Sequence, residues 1–133
     1  MGEPRINIVA MPKDTNPSGN IFGGWIMSQI DIAGSLAARD LNVGRVVTVA
    51  VNSIEFKEAV KIGDIVSCYA KIIRVGKTSV TTQVEVQAER TTQGKRYCIH
   101  VTSAVITYVN VDDEGNKTPI PYTQNELSAL GLA

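Results

Sequence analysis

The stretch GWIMSQIDIAGSLAARDL, residues 24–41, decides how the rest of the chain must be arranged. Its apolar residues Ile26, Ile30, Ala33, Ala37 and Leu41 recur at spacings of three and four, the period of one face of an α-helix. The segment is poor in charge before Arg39 and Asp40, and small Ala33, Gly34, Ala37 and Ala38 cluster within it. These features predict a helix from Gly24 to about Leu41 that is buried on several sides, so other elements must wrap around it.

The remainder of the chain supplies the wrapping. Nearly everything from Arg45 to Val111 alternates with a period of two, most cleanly from Thr78 to Glu89. There Val80, Thr82, Val84, Val86 and Ala88 define a core face, and Thr81, Gln83, Glu85, Gln87 and Glu89 the face that meets water or a partner. Gly76-Lys77 lies between this run and Ile65 to Val75, the spacing of a two-residue hairpin with glycine at the first turn position. Gln93-Gly94 makes a second turn before Tyr97 to Val111, and Asp113 to Asn116 ends that strand. Arg5 to Ala10 reads as a short strand, Met11 to Asn20 as a loop, and Gln124 to Leu130 as one or two helical turns. One helix and then an antiparallel meander predict a single α+β domain over residues 1–133, with the sheet curled around the helix.

Composition narrows the function. A chain of 133 residues, 44% hydrophobic and 20% charged, has the makeup of a globular domain with its own core. Lys and Arg together balance Asp and Glu, 13 against 13, and no segment concentrates basic residues, so nucleic acid is not an expected partner. Cys68 and Cys98 fall in apolar alternating stretches outside any metal-ligand spacing, and both read as reduced core thiols. No leader or membrane-length apolar run is present in the sequence, and cytoplasmic residence is the expectation.

The residues with chemical promise surround the start of the helix. Gly23-Gly24 would let a ligand approach backbone N–H groups at the positive end of the helix, which suits an oxyanion. Gly24, Ser28, Asp31 and Ser35 stand at offsets of zero, four, seven and eleven, so the carboxylate shares a face with the helix start. A carboxylate in an apolar helix needs hydrogen bonds or incurs a large desolvation penalty, and such groups are often functional. Spacing alone leaves a second reading open, in which the glycines form a turn and Asp31 caps a loop or pairs with an arginine. The segment Arg74-Val75-Gly76-Lys77-Thr78-Ser79 combines cations, hydroxyls and turn backbone that could hold phosphate, or it is an ordinary polar hairpin. His100, the sole histidine, has no acidic or cysteine neighbour at ligand spacing and reads as structural; no metal site is expected. Gly-x-Ser-x-Gly, Walker and dinucleotide-binding motifs are absent.

Several of these pieces occur together in a known order: Asn16-Pro17-Ser18-Gly19, Phe22-Gly23-Gly24-Trp25, Ser28-Gln29-Ile30-Asp31, Gly44 to Val51, Gly63-Asp64, Val75 to Ser79, Val84-Glu85-Val86 and Arg96-Tyr97. From about Ile6 to Pro121 the chain resembles the YciA-type bacterial acyl-CoA thioesterases. The resemblance implies a hotdog fold, a curved antiparallel sheet around one long helix, and a homodimer with joined sheets that assembles into a homohexamer, a trimer of dimers. It implies active sites at the dimer interface, Asp31 as general base or nucleophile, and Gly24 as the oxyanion N–H donor. Asn16 would help from the opposite subunit, Gly23 would adjoin the substrate, and Arg74 with Gly76, Lys77, Thr78 and Ser79 would receive the CoA nucleotide or pantetheine arm. No metal or cofactor is implied. One departure is Ala59, where relatives commonly carry proline. The competing expectations are a hotdog hydratase or dehydratase, disfavoured because His100 is remote from the helix start, and a non-catalytic acyl-CoA sensor. Sensors of that kind usually carry a DNA-binding segment for which 133 residues leave no room.

Overall fold

The computed structural model describes residues 2–41, 43–52 and 54–132. Met1, Asn42, Ser53 and Ala133 lie outside the described residues, and with them one position of the alternating run and both ends of the expected 1–133 domain. The helix α1 spans Gly23–Ala38 and tightens into a 3-10 turn at Arg39–Leu41. Its predicted stripe, Ile26, Ile30, Ala33, Ala37 and Leu41, is 3% exposed or less. The strands are β1 Ile6–Val9, β2 Val46–Asn52, β3 Ile65–Val75, β4 Ser79–Thr92 and β5 Lys95–Asn110. They form one antiparallel sheet in the order β1-β3-β4-β5-β2, with β1 and β2 at the edges. Val80, Thr82, Val84, Val86 and Ala88 of β4 are at most 1% exposed and pack under α1, so the core lies between the helix and the inner face of the sheet. This is the expected hotdog arrangement.

Burial of α1 is one-sided, which corrects the sequence reading. Met27 is 42% and Ile32 46% exposed, and Val51 of β2, which lines a cleft with Met27, is 40% exposed. The reason is topological: β2 is an edge strand, so no further strand continues the wrapping on that side. The small residues instead permit close approach on the buried side, where a side chain on Gly34 would put its Cβ 2.4 Å from the Tyr108 hydroxyl.

Strict alternation is also broken, by register shifts that leave Val49, Ile73 and Val101 as extra residues. The shift at Val101 explains a second correction. Thr102, Ala104, Ile106 and Tyr108 point inward, and unbroken alternation would carry Cys98 inward too. Because Val101 is extra and is itself buried, parity flips below it and Cys98 is exposed, whereas Cys68 is buried as expected. Burial pushes the Cys68 thiol up to about 12, so it stays protonated and inert.

The turn at Gln93-Gly94 is as expected: both residues have positive φ, 53° and 75°, the conformation of a type I′ hairpin. The other hairpin is shifted by one residue. Val75 pairs with Val80, and the Gly76 N–H donates to the Ser79 carbonyl at 2.8 Å, so the turn residues are Lys77-Thr78 and β4 begins at Ser79. Strand β5 stops at Asn110, before a turn in which Asp112 Oδ1 accepts the N–H groups of Glu114 and Asn116. The terminal helix α2, Gln124–Ala129, is capped by Thr123 with Glu126 in a capping box and buries Leu127 in the core. Among the described residues no helix is long and apolar enough to cross a membrane.

Candidate active site

The first turn of α1 is built to present bare backbone. Phe22 at its N-cap provides no side-chain acceptor, and its carbonyl takes the N–H groups of Trp25 and Ile26 at 3.1 and 3.3 Å. The N–H of Gly24 belongs to the first-turn donors that have no acceptor inside the helix, at its positive end. A Cβ on Gly24 would meet nothing within 4 Å, so glycine here leaves the N–H uncovered rather than relieving a clash.

Gly24, Ser28 and Asp31 line one cleft of about 310 Å³, as their spacing predicts, together with apolar Met27, Ile30, Val51, Ile54 and Ile106. Asp31 is half-buried there, and Thr48 donates its hydroxyl to Asp31 Oδ1 at 2.6 Å. The bulge at Val49 keeps this position compatible with the rest of β2. Thr48 pairs with Tyr108 and Val51 with Ile106, both inward-facing, although Thr48 and Val51 are three positions apart. In an unbroken strand residues three apart point to opposite faces; the bulge turns both into the cleft. Ser28 is spent on the Gly24 carbonyl at 3.1 Å, and Ser35 on the Ile32 carbonyl at 2.8 Å, outside the cleft. Thr48 escaped the sequence reading, since a threonine in a strand is unremarkable until its partner across the cleft is known.

Asn16 stands elsewhere in the same chain. Its Oδ1 accepts the N–H groups of Ser18 at 2.9 Å and Asn20 at 3.1 Å, and its own N–H bonds to the Asn20 carbonyl at 2.7 Å. With the oxygen committed to the loop, the amide –NH2 is the end of Asn16 that remains for a ligand. Asn16 and Gly23 line a second cleft of about 300 Å³ with Phe56, whose ring would lie 3.4 Å from a Cβ on Gly23. Adjacent glycines thus face different clefts, and one chain does not bring Asn16 and Asp31 into the same one.

The loop that closes the second cleft hangs from a buried ion pair. Asp64, 2% exposed, accepts Arg90 Nε at 2.9 Å, Arg90 Nη2 at 2.7 Å and the Lys61 N–H at 2.9 Å, while Arg90 Nη2 also reaches the Ala59 carbonyl. Val60 in turn accepts the Ile21 N–H, and Lys61 Nζ bonds Asn20 Oδ1 at 2.6 Å, which ties this loop to the one carrying Asn16.

Arg74 and Lys77 are exposed, with Gly76, Thr78 and Ser79 half-buried around the hairpin. The hairpin is stitched to the far end of the molecule by the Asn110 N–H to the Thr78 carbonyl and the Ile120 N–H to the Lys77 carbonyl, both 2.8 Å. It lines neither cleft. Gly34, which packs on Thr82 and Tyr108 just inside the hairpin, is already about 15 Å along α1 from Gly24 at ~1.5 Å per residue. His100 is on the outer face of the sheet, its Nε2 2.9 Å from Glu85 Oε2 and 3.3 Å from Ser103 Oγ, remote from both clefts. Among the described residues no group of three or more His, Cys, Asp or Glu side chains is placed to hold a metal ion.

Known proteins share this architecture. The family described as the Thioesterase superfamily matches residues 18–95, which include Gly24, Asp31, Thr48 and the hairpin. The acyl-CoA thioester hydrolase YciA of Escherichia coli is 43% identical over 123 residues, 90% of this chain and 92% of that protein. A hexameric hotdog-fold thioesterase of Campylobacter jejuni superposes with a TM-score of 0.89 at 56% identity, covering 97% of this chain and 96% of that one. A hexameric broad-specificity acyl-coenzyme A thioesterase superposes with a TM-score of 0.84 at 44% identity, covering 99% and 91%. With more than half its length matched by the family and nearly all of it aligned to these relatives, the chain belongs to the Thioesterase superfamily and, within it, to the YciA group of hotdog-fold thioester hydrolases.

Proposed function

We propose that this chain hydrolyses acyl-CoA thioesters to free CoA and a carboxylic acid, with Asp31 as the reacting carboxylate. The observation that carries the reading is the half-buried Asp31, held by Thr48 through Oδ1 in an apolar cleft that also contains Gly24 at the helix start. The acyl chain lies on Met27, Val51, Ile54 and Ile106, and the thioester carbonyl points at the Gly24 N–H. As water adds, charge builds on the carbonyl oxygen, and a preorganised N–H at the positive helix end stabilises it by several kcal/mol, typically about 3 per donor. Asp31 takes the proton from that water, the C–S bond breaks, and the proton passes to the departing thiolate; direct attack by Asp31 through an anhydride has the same requirements. General-base help of this kind contributes about 10²–10⁴-fold.

The rest of the site comes from assembly. Edge strand β2, with exposed Val47, Val49 and Val51, joins a second copy, and the Asn16 –NH2 of one copy completes the Asp31 cleft of the other. Arg74, Gly76, Lys77, Thr78 and Ser79 receive the CoA nucleotide or pantetheine arm, and three dimers form the hexamer. Neither metal nor cofactor takes part. The reaction is cytoplasmic.

The test is release of free thiol by the purified protein from saturated acyl-CoAs of about two to sixteen carbons, since general-base acceleration leaves a measurable turnover. Thiol release that tracks protein concentration is expected. Tight acyl-CoA binding without thiol release would replace this reading with that of a sensor.

A further inference from the structure

Asp31 is held at two points by one cross-strand pair. Thr48 on β2 and Tyr108 on β5 stand opposite each other in the ladder, both facing α1. Thr48 binds the carboxylate, and the Tyr108 hydroxyl donates to the main-chain carbonyl of the same residue, Asp31, at 2.6 Å. That carbonyl lies inside α1, and the backbone N–H of Ser35, four residues on, also bonds the phenol oxygen, so the hydroxyl is tied into this turn of the helix.

Other features show that the contact is specifically accommodated. Tyr108 is 1% exposed, and its hydroxyl reaches the helix only because residue 34 is glycine, where a Cβ would stand 2.4 Å from it. Thr82 Oγ1, equally buried beside Gly34, has no hydrogen-bond partner, so hydroxyls in this part of the core are not satisfied as a matter of course. Small side chains such as Ala33, Ala37 and Ala38 give α1 a smooth, non-directional contact with the sheet. A hydrogen bond to one carbonyl is directional and sets the rotation of the helix about its axis.

We propose that Tyr108 is a positioning residue for hydrolysis: its phenol fixes the turn of α1 that carries Asp31, so that the Thr48-bound carboxylate keeps one place relative to the Gly24 N–H. The inference rests on Asp31 being the reacting carboxylate. Without the phenol the turn is free to rotate slightly, and a misplacement of about 1 Å in a reacting group costs up to roughly 10²-fold in rate.

The experiment compares Tyr108→Phe, Thr82→Val, Gly34→Ala, the double variant Gly34→Ala/Tyr108→Phe, and Asp31→Asn. Each is assayed with acyl-CoA well below its melting temperature, after circular dichroism shows native secondary structure. Tyr108→Phe is expected to lose about tenfold in kcat with KM unchanged, the signature of misplaced chemistry rather than lost binding. Thr82→Val, which deletes a hydroxyl from the same core without touching Asp31, is expected to keep wild-type kcat. Gly34→Ala crowds the phenol, Thr82 Oγ1 and the edge of the Tyr108 ring, so it should lose stability as well as kcat, and removing the phenol in the double variant should relieve part of that loss. Should Tyr108→Phe melt too low to assay, the same comparison with Thr82→Val is made in sucrose, which favours the folded state. Wild-type kcat in Tyr108→Phe alongside an inactive Asp31→Asn overturns the positioning role and leaves the carboxylate assignment standing. Equal losses in Tyr108→Phe and Thr82→Val overturn it as well, as general core damage. Wild-type turnover by Asp31→Asn overturns both.

Discussion

Two aspartates in this protein have opposite fates. Asp64 lies at the base of the loop over the Asn16 cleft, 2% exposed, with both oxygens engaged by the guanidinium of Arg90 and one also by the Lys61 N–H. Asp31 lies half-buried in a cleft, with a neutral hydroxyl from Thr48 on Oδ1. A carboxylate saturated by a cation and an amide gains most of its stabilisation in the folded state and has little left to offer a substrate. One held only by neutral hydroxyls is oriented but remains available to accept a proton. The donor set around each carboxylate separates anchor from reactant, a distinction that the bare sequence does not express.

The sharpest test of this contrast is Asp31→Asn. It should cost about 10²–10⁴-fold in kcat, as expected for loss of a general base, and leave the melting temperature near wild type, because Thr48 can still bond the amide. Thiol-release kinetics and thermal melts on the same preparation check both halves. Retention of more than about a tenth of wild-type turnover would sink the catalytic assignment.

Asp64→Asn should do the reverse. Removing one partner of a buried pair is expected to cost about 3 kcal/mol, the lower end of the usual range since Arg90 is 28% exposed and keeps some solvation. Urea unfolding measures this, and activity per folded molecule should fall far less than in Asp31→Asn. A variant as stable as wild type would mean that Arg90 finds another partner and that the loop does not hang from this pair.

Glu85 on the outer face of the sheet gives the smallest effect and a pH signature. Burial alone would raise its carboxyl, but hydrogen bonds from Ser103 and His100, with the charges of His100 and Lys71, outweigh burial and hold it below its ordinary value of 4.5. A depressed value means that ionised Glu85 stabilises the folded chain above pH 4.5 and that this contribution fades as pH falls through the folded-state value. Glu85→Gln should therefore be slightly less stable at neutral pH, by under about 1 kcal/mol for a partly exposed group, and the gap should close in acid. Urea unfolding of both proteins across this pH range checks the sign. A gap that widens with acid would reverse it and discard the account.

How much of this was legible beforehand differs by element. The buried stripe of α1 and the inner face of β4 were visible because 3.6- and two-residue periods survive in the order of apolar residues. The shared face of Gly24 and Asp31 was visible for the same reason. Thr48 and Tyr108 were not, since their roles depend on contacts 17 and 77 residues away along the chain. Alternation alone places Cys98 in the core, because a bulge adds one residue without altering composition and parity cannot be carried across it. The hairpin at Lys77-Thr78 slipped by one for a related reason: Gly76 suggested a left-handed turn position, but its φ is not positive, and it instead avoids crowding Ser79 Oγ, 2.5 Å from where its Cβ would be.

The extra residue in β2 also marks where such a gene can change in length. Losing a codon inside a strand ordinarily turns every later side chain to the wrong face. Between Thr48 and Val51 it would not, because β2 already spends three steps there against the two that β5 takes from Tyr108 to Ile106. With the codon for Val49 gone, Thr48 would still stand opposite Tyr108, Ala50 opposite Thr107 and Val51 opposite Ile106, and the cleft would keep its lining. An added codon at the same place would have to loop out a second residue. Aligned relatives that keep this cleft are therefore expected to carry any gap in β2 between Thr48 and Val51, and to carry it as a deletion.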